Sequence, residues 1–290
     1  MDTAMDIRSI PQSGFPPLLR EITDPPKRLF IQGALPPPET KYLCVVGSRR
    51  YSPYGKNVCE RLIRGLSGYP VAIVSGLALG IDGIAHEAAI SAGLPTIAVP
   101  GSGLSENILY PRAHVGLARR IVREGGTLLS EYDSEQKAGV WSFPERNRLM
   151  AGMSHAILII EASEKSGTLI TARLGMEYNR DVLVVPGSVL SDSANGSNAL
   201  LREGAQAVCE SKHILEVLKI KIDEQETMND VQRKDITDEE QKIFKLLTEP
   251  MTRDEVVRVS GMPLSQAQIV ISTMEIKGIL TERLGKMERA

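Results

Sequence analysis

Between residues 41 and 208 short apolar runs alternate with segments of helical spacing, and this alternation restricts the fold more than any other feature of the chain. The runs cover 42–46, 71–74, 96–99, 127–129, 156–160, 182–185 and 207–208, and the helical segments cover 54–67, 80–92, 112–124, 144–154 and 166–179. Short buried strands joined by amphipathic helices make βαβ units. The pattern therefore predicts an α/β domain with an extended Rossmann-like, doubly wound, mostly parallel sheet over 41–220. Ligands in such sheets sit outside the carboxyl ends of the strands. Those ends here read Gly47-Ser48-Arg49, Ser75-Gly76-Leu77-Ala78-Leu79-Gly80-Ile81-Asp82, Pro100-Gly101-Ser102-Gly103, Ser130-Glu131, Glu161-Ala162-Ser163 and Pro186-Gly187-Ser188. Nearly all are rich in glycine or serine.

The flanks differ in kind. Residues 1–40 carry Pro11, Pro16, Pro17, Pro25, Pro26, Pro36, Pro37 and Pro38, and predict an extended arm that adds an edge strand. Residues 221–234 are polar and aperiodic, as a linker is. Over 235–290 come an acidic helix start, a Thr252-Arg-Asp-Glu255 capping box, a stop at Gly261, a helix over 263–277 and a strand over 278–284. That order predicts a small winged-helix domain. From residue 231 onward ten Lys and Arg oppose ten Asp and Glu. A protein contact is then at least as well supported as groove binding, which normally shows a basic stripe.

Composition removes several classes. Net charge is −2 over 290 residues, so a polyanion would need a local basic patch. No apolar run approaches the eighteen or so residues of a membrane span. The acidic first residues predict no export, and a reducing cytoplasm fits the three cysteines. Cys44, Cys59 and Cys209 are expected as buried small hydrophobes, and the single, scattered histidines predict no metal and no cofactor. The turn after the first strand lacks G-x-G-x-x-G, and no phosphate-loop G-x-x-x-x-G-K-[ST] occurs. No nucleophile lies at a telling spacing from a base, so binding is expected rather than catalysis.

The strongest chemical signal is basic. Arg146 and Arg148 in Phe143-Pro-Glu-Arg-Asn-Arg148, with Lys165 before Ser166-Gly167-Thr168, fall near expected helix starts. A cation is unfavourable at the positive end of a helix, so three such placements, with Arg49, suggest an anion that offsets them. Ser166 and Thr168 either cap the helix or donate hydroxyls to a phosphate. Asp82 either serves the tight turn alone or joins the site. Trp141 and Phe143 either pack in the core or stack on a base.

Taken in order, Val46-Gly-Ser-Arg49, Ser75-Gly-Leu-Ala-Leu-Gly-Ile-Asp82, Tyr110-Pro111, Leu129-Ser-Glu131, Phe143-Pro-Glu-Arg-Asn-Arg148 and Ser166-Gly-Thr-Leu-Ile-Thr-Ala172 resemble the DprA/Smf family of DNA-processing proteins. The resemblance covers about 15–218. It implies a homodimer that binds single-stranded DNA without strong sequence preference, protects incoming strands and loads the RecA recombinase in natural transformation. It further implies that Gly47, Ser48 and Arg49 hold one phosphate. Arg146, Asn147 and Arg148 would line the pocket, and Lys165, Ser166, Gly167 and Thr168 would grip the next backbone segment. Ser75, Gly76 and Gly80 complete the expected DNA-binding set.

Two rivals remain. A nucleotide phosphoribohydrolase on a related scaffold would place a glutamate where Thr171 stands, and lacks it here. A winged-helix transcriptional regulator would read duplex DNA through the third helix, whose near-neutral charge opposes it.

Overall fold

The computed structural model describes residues 6–221, 237–247, 249–277, 279–283 and 285–289. These fall into two compact units, 1–221 and 222–290. Apart from Lys221, the expected linker lies outside the described residues, as do Gly278 and Leu284 at the ends of the expected last strand.

The larger unit is built on one sheet. Its strands are β1 (Arg8–Ile10), β2 (Leu29–Gly33), β3 (Lys41–Val46), β4 (Val71–Ser75), β5 (Thr96–Ala98), β6 (Thr127–Ser130), β7 (Ala156–Ile159), β8 (Asp181–Val184) and β9 (Gln206–Ala207). Their order is β1-β2-β6-β5-β4-β3-β7-β8-β9. Strands β3 to β9 pair in parallel, whereas β1 and β2 join antiparallel at the β6 edge. The expected arm therefore contributes two strands rather than one, and its 3-10 turn Pro17–Arg20 buries Leu19 completely.

Between strands run α1 (Pro53–Arg64), α2 (Ile81–Ser91), α3 (Val115–Arg123), α4 (Ser142–Met153), α5 (Thr168–Glu177), α6 (Asn195–Arg202) and α7 (Ser211–Val217). Alternation along a strand divides its side chains between two layers. Cys44 and Val46 pack with Leu149 and Met150 of α4 and Ala172 of α5, on a cluster that the arm closes with Phe15, Leu19 and Ile22. The chain adds β3 to β6 outward in one direction, then returns to place β7 on the other side of β3. The crossover leaves a topological switch point between β3 and β7, where two strand ends diverge and a crevice opens.

Sequence and structure part at the surface. Cys44 and Cys59 are buried, but Cys209, which follows the two-residue strand β9, is exposed. Trp141 is also exposed, resting edge-on against Tyr132 rather than in the core.

The smaller unit comprises α8 (Asp238–Leu246), α9 (Arg253–Ser260), α10 (Leu264–Ile276) and the hairpin β10 (Leu280–Arg283) with β11 (Lys286–Arg289). This is the element order of a winged helix. Thr237 and Thr252 form complete capping boxes with Glu240 and Glu255, and Gly261 ends α9 in the left-handed region at φ 64°. Ile243, Val256, Ile271 and Met274 form its core.

Candidate functional site

The crevice at the switch point is a cleft of 880 Å³. Gly47, Ser48, Arg49 and Arg50, which follow β3, form one side with Tyr110, Val140, Phe143 and Pro144. Ser163, Ser166, Gly167, Thr168 and Ile170, which follow β7, form the other, with Asp192 and Ser193 at its end. Val46, Asp82, Arg146, Asn147 and Met150 also line it.

The loop after β3 is shaped by its own contacts. Ser48 Oγ donates to the Arg50 carbonyl at 2.8 Å and accepts from the Arg50 N–H at 3.0 Å, which folds the turn. Gly47 packs so close to Ile81 that an added Cβ would stand 2.7 Å from its side chain. Arg49 and Arg50 project exposed, and the Arg49 guanidinium lies 5.5 Å from the Phe143 ring centre. Lys165 is exposed in the turn before α5, next to the cleft residue Ser166 but not itself among the residues that line the cleft. None of these three cations joins an ion pair among the described residues.

Helix α5 starts at the cleft. Ser166 Oγ accepts from the Thr168 N–H at 3.2 Å and donates to Thr168 Oγ1 at 2.9 Å, while Gly167 at the cap position offers no side chain. The N–H groups of Leu169 and Ile170 donate to the carbonyls of Ser166 and Gly167, both at 3.1 Å, so the amides of this first turn are met within the protein. No carboxylate in the turn offsets the partial positive charge of the helix end, which attracts an anion.

The site differs from its sequence expectation in several residues. Helix α4 begins at Ser142, held by Ser142 Oγ donating to the Gly101 carbonyl at 2.6 Å. Arg146 and Arg148 thus sit in the second turn, not at a helix start, and the argument from misplaced cations does not apply to them. Two positions on a helix are turned by about 200°, so the two arginines point apart. Arg146 is buried. It donates to the carbonyls of Gly76 and Val99 and faces Asp82, which accepts from the Gly76 N–H at 3.1 Å and the Ala78 N–H at 3.4 Å. Burial pushes the Asp82 carboxyl up, and Arg146 beside it pulls the other way. Burial likewise pushes Arg146 down, with Asp82 opposing.

Arg148 does not line the cleft. It pairs with Glu131 and donates to the Asp24 carbonyl at 2.9 Å, which fastens the arm to the sheet. Ser75 and Gly80 lie behind the cleft wall, and Gly76 lines only a small side hollow. Ser75 Oγ donates to the Val45 carbonyl at 2.7 Å, and Gly80, at φ 88°, brings its backbone against the Ser48 carbonyl. Their small size serves the protein's own close packing. Arg50, Tyr110, Ile170, Asp192 and Ser193 line the cleft without being expected there from the sequence. Arg50 adjoins Arg49, and Tyr110 belongs to the Tyr110-Pro111 motif, but the Asp192 turn gives no sequence signal.

The chain resembles proteins of one group. Its residues 6–219 match the family model described as DNA recombination-mediator protein A. It is 40% identical to the protein Smf of Escherichia coli over 205 residues, which are 71% of this chain and 54% of that protein. It is 38% identical to the DNA processing protein DprA of Bacillus subtilis over 215 residues, 73% of this chain and 71% of that one. The match thus spans about half the length of the Escherichia coli relative. Among solved structures, DprA of Streptococcus pneumoniae superposes with a TM-score of 0.69 at 36% identity, covering 76% of each chain. DNA processing protein A of Helicobacter pylori, studied for its single-stranded DNA binding mode, gives 0.65 at 30% identity, covering 75% of this chain and 98% of that one. With the family model covering most of the chain, the chain belongs to the DNA recombination-mediator protein A family.

Proposed function

We propose that the cleft binds single-stranded DNA through its phosphates, and that the protein is a binding mediator that hands the strand to a RecA recombinase. The carrying observation is the cleft at the switch point, lined on one side by the exposed Arg49 and Arg50, which join no ion pair among the described residues. On the other side it is lined by Ser166, Gly167 and Thr168 at the start of α5, whose first turn holds no carboxylate and which follows the exposed Lys165. Phosphates on such a path meet charge from both banks, and Gly167 lets the backbone approach closely. The single-strand binding mode studied in the Helicobacter pylori relative supports the same ligand. A homodimer and the RecA contact rest on the family resemblance.

The winged unit is not assigned the DNA-reading role. Its third helix, α10, exposes Leu264, Ile269 and Ile276, an apolar surface rather than a basic one.

Fluorescence anisotropy of a labelled oligo-dT strand, beside a duplex of equal length at two salt concentrations, tests the reading. With about four phosphates held, log affinity falls against log salt with a slope near −3. Preference for the duplex, or binding that ignores salt, overturns it.

A further inference from the structure

The floor of the cleft differs from its rim. The rim cations are exposed and unpaired, whereas on the floor the charge of Arg146 is met by Asp82 and the apolar side chains of Val46 and Met150 adjoin. A phosphate there would face the Asp82 carboxylate and lose its water, so the floor rejects an anion. It accepts a flat neutral ring. One polar group there is left open.

Asn147 is 8% exposed, and its Oδ1 accepts from Arg146 Nε at 3.2 Å. Arginine only donates, so this bond fixes which end of the amide carries oxygen and turns Nδ2 away from Arg146. Nδ2 has no hydrogen-bond partner among the described residues, yet it is absent from the sealed, unsatisfied polar atoms. It is a pre-oriented donor that still reaches open space in the cleft. Once a strand fills the cleft and expels water, that donor carries its full desolvation cost unless an acceptor meets it.

Resting on the single-strand reading above, we propose that Asn147 reads a carbonyl oxygen on a base of the bound strand, favouring keto bases over adenine. Thymine carries a carbonyl on both sides of its pairing edge, so either ring orientation satisfies Nδ2. Adenine's pairing edge offers Nδ2 one ring nitrogen, N1, beside a donating amino group, so a single placement satisfies the donor where thymine gives two, and the neighbouring placement sets donor against donor. The rim fixes the backbone without regard to sequence, and the floor adds a mild preference.

The test compares oligo-dT with oligo-dA of equal length on the full chain and on Asn147→Asp. The aspartate keeps the acceptor for Arg146 Nε and replaces the open donor with an acceptor. Because the strands are the same for both proteins, the intrinsic stacking of oligo-dA cancels in the ratio of ratios. The proposal expects the dT-to-dA affinity ratio to fall by about three- to tenfold in the variant, the worth of one hydrogen bond. Asn147→Ser, measured beside it, guards against misfolding of the charged variant and is expected to move the ratio the same way. An unchanged ratio in either folded variant overturns base reading and leaves strand binding intact. No single-strand binding by the unaltered protein overturns both.

Discussion

Helices α1 and α5 both begin at the carboxyl end of the sheet, one after β3 and one after β7, yet their starts are finished in opposite ways. At α1 the protein supplies its own anion. The Glu161 carboxylate accepts from the Ser52 N–H at 2.9 Å and from Ser52 Oγ at 3.1 Å, and Ser52 in turn caps Gly55. Helix α2 resembles α1, with Asp82 in its first turn holding the Gly76 and Ala78 amides. The first turn of α5 holds no carboxylate, and a glycine stands at its cap position behind Lys165. A doubly wound sheet creates an anion-attracting helix start at every crossover. In this chain the carboxylate-closed starts of α1 and α2 serve stability, and on the reading proposed above the start of α5, which lines the cleft, serves binding. Variants at the two kinds should then differ in what they disturb.

Asp82→Ala is expected to give the largest effect. It strands two backbone N–H groups and removes the buried carboxylate that faces Arg146, and leaving buried donors unmet costs about 1–3 kcal/mol each. For a unit of this size that amounts to roughly 10 °C in the thermal midpoint of the larger unit, at about 2–4 °C per kcal/mol. A midpoint within a degree or two of the unaltered protein would show that α2 is not closed by its carboxylate.

How much of this is legible in the sequence follows from which contacts are local. Parallel strands are covered on both faces and so read as unbroken apolar runs, such as Leu43-Cys-Val-Val46, and the runs expected for β3 and β7 agree with the observed strands within a residue or so. The caps of the winged unit are legible because Thr252 and Glu255 close on each other within one turn. Strand order is not legible. Nothing in the residues of β7 states that it returns beside β3, and the position of the cleft depends on that return. Arg146 and Arg148 mislead for a similar reason. The start of α4 is set by Ser142 reaching Gly101, a contact 41 positions away, and the earlier start places both arginines further along the helix. Composition alone does not distinguish Arg146, fixed by carbonyls, from Arg49, which is exposed at the rim against the Phe143 ring.

Arg49→Ala and Lys165→Ala carry the second effect, on affinity rather than stability. Each removes one charge-assisted interaction, so binding to a single strand weakens by about 1–3 kcal/mol for all sequences alike. The salt slope becomes shallower by about 0.7 for each phosphate that is no longer neutralised. The thermal midpoint stays in place, because both side chains are exposed and make no ion pair among the described residues. Anisotropy and thermal unfolding on the same preparations separate the two classes. A variant at α5 that lowered stability without lowering affinity would abolish the contrast with α2.

The smallest expected effect sharpens the contrast most, because it attempts to turn a closed start into an open one. Glu161→Gln keeps a carbonyl oxygen for the Ser52 N–H and hydroxyl while removing the negative charge behind the loop that carries Arg49 and Arg50. The partial positive charge at α1 is then no longer offset, and a phosphate passing Ser48 and Arg49 gains the attraction that α5 already offers. The gain in single-strand affinity is about 0.3–1 kcal/mol at low ionic strength and fades as salt is raised, as helix-dipole effects do. Measured at two salt concentrations, a rise confined to the lower one places α1 on the path of the strand. No change at either would mean that Glu161 holds the loop in shape without adjusting the field that the phosphates meet.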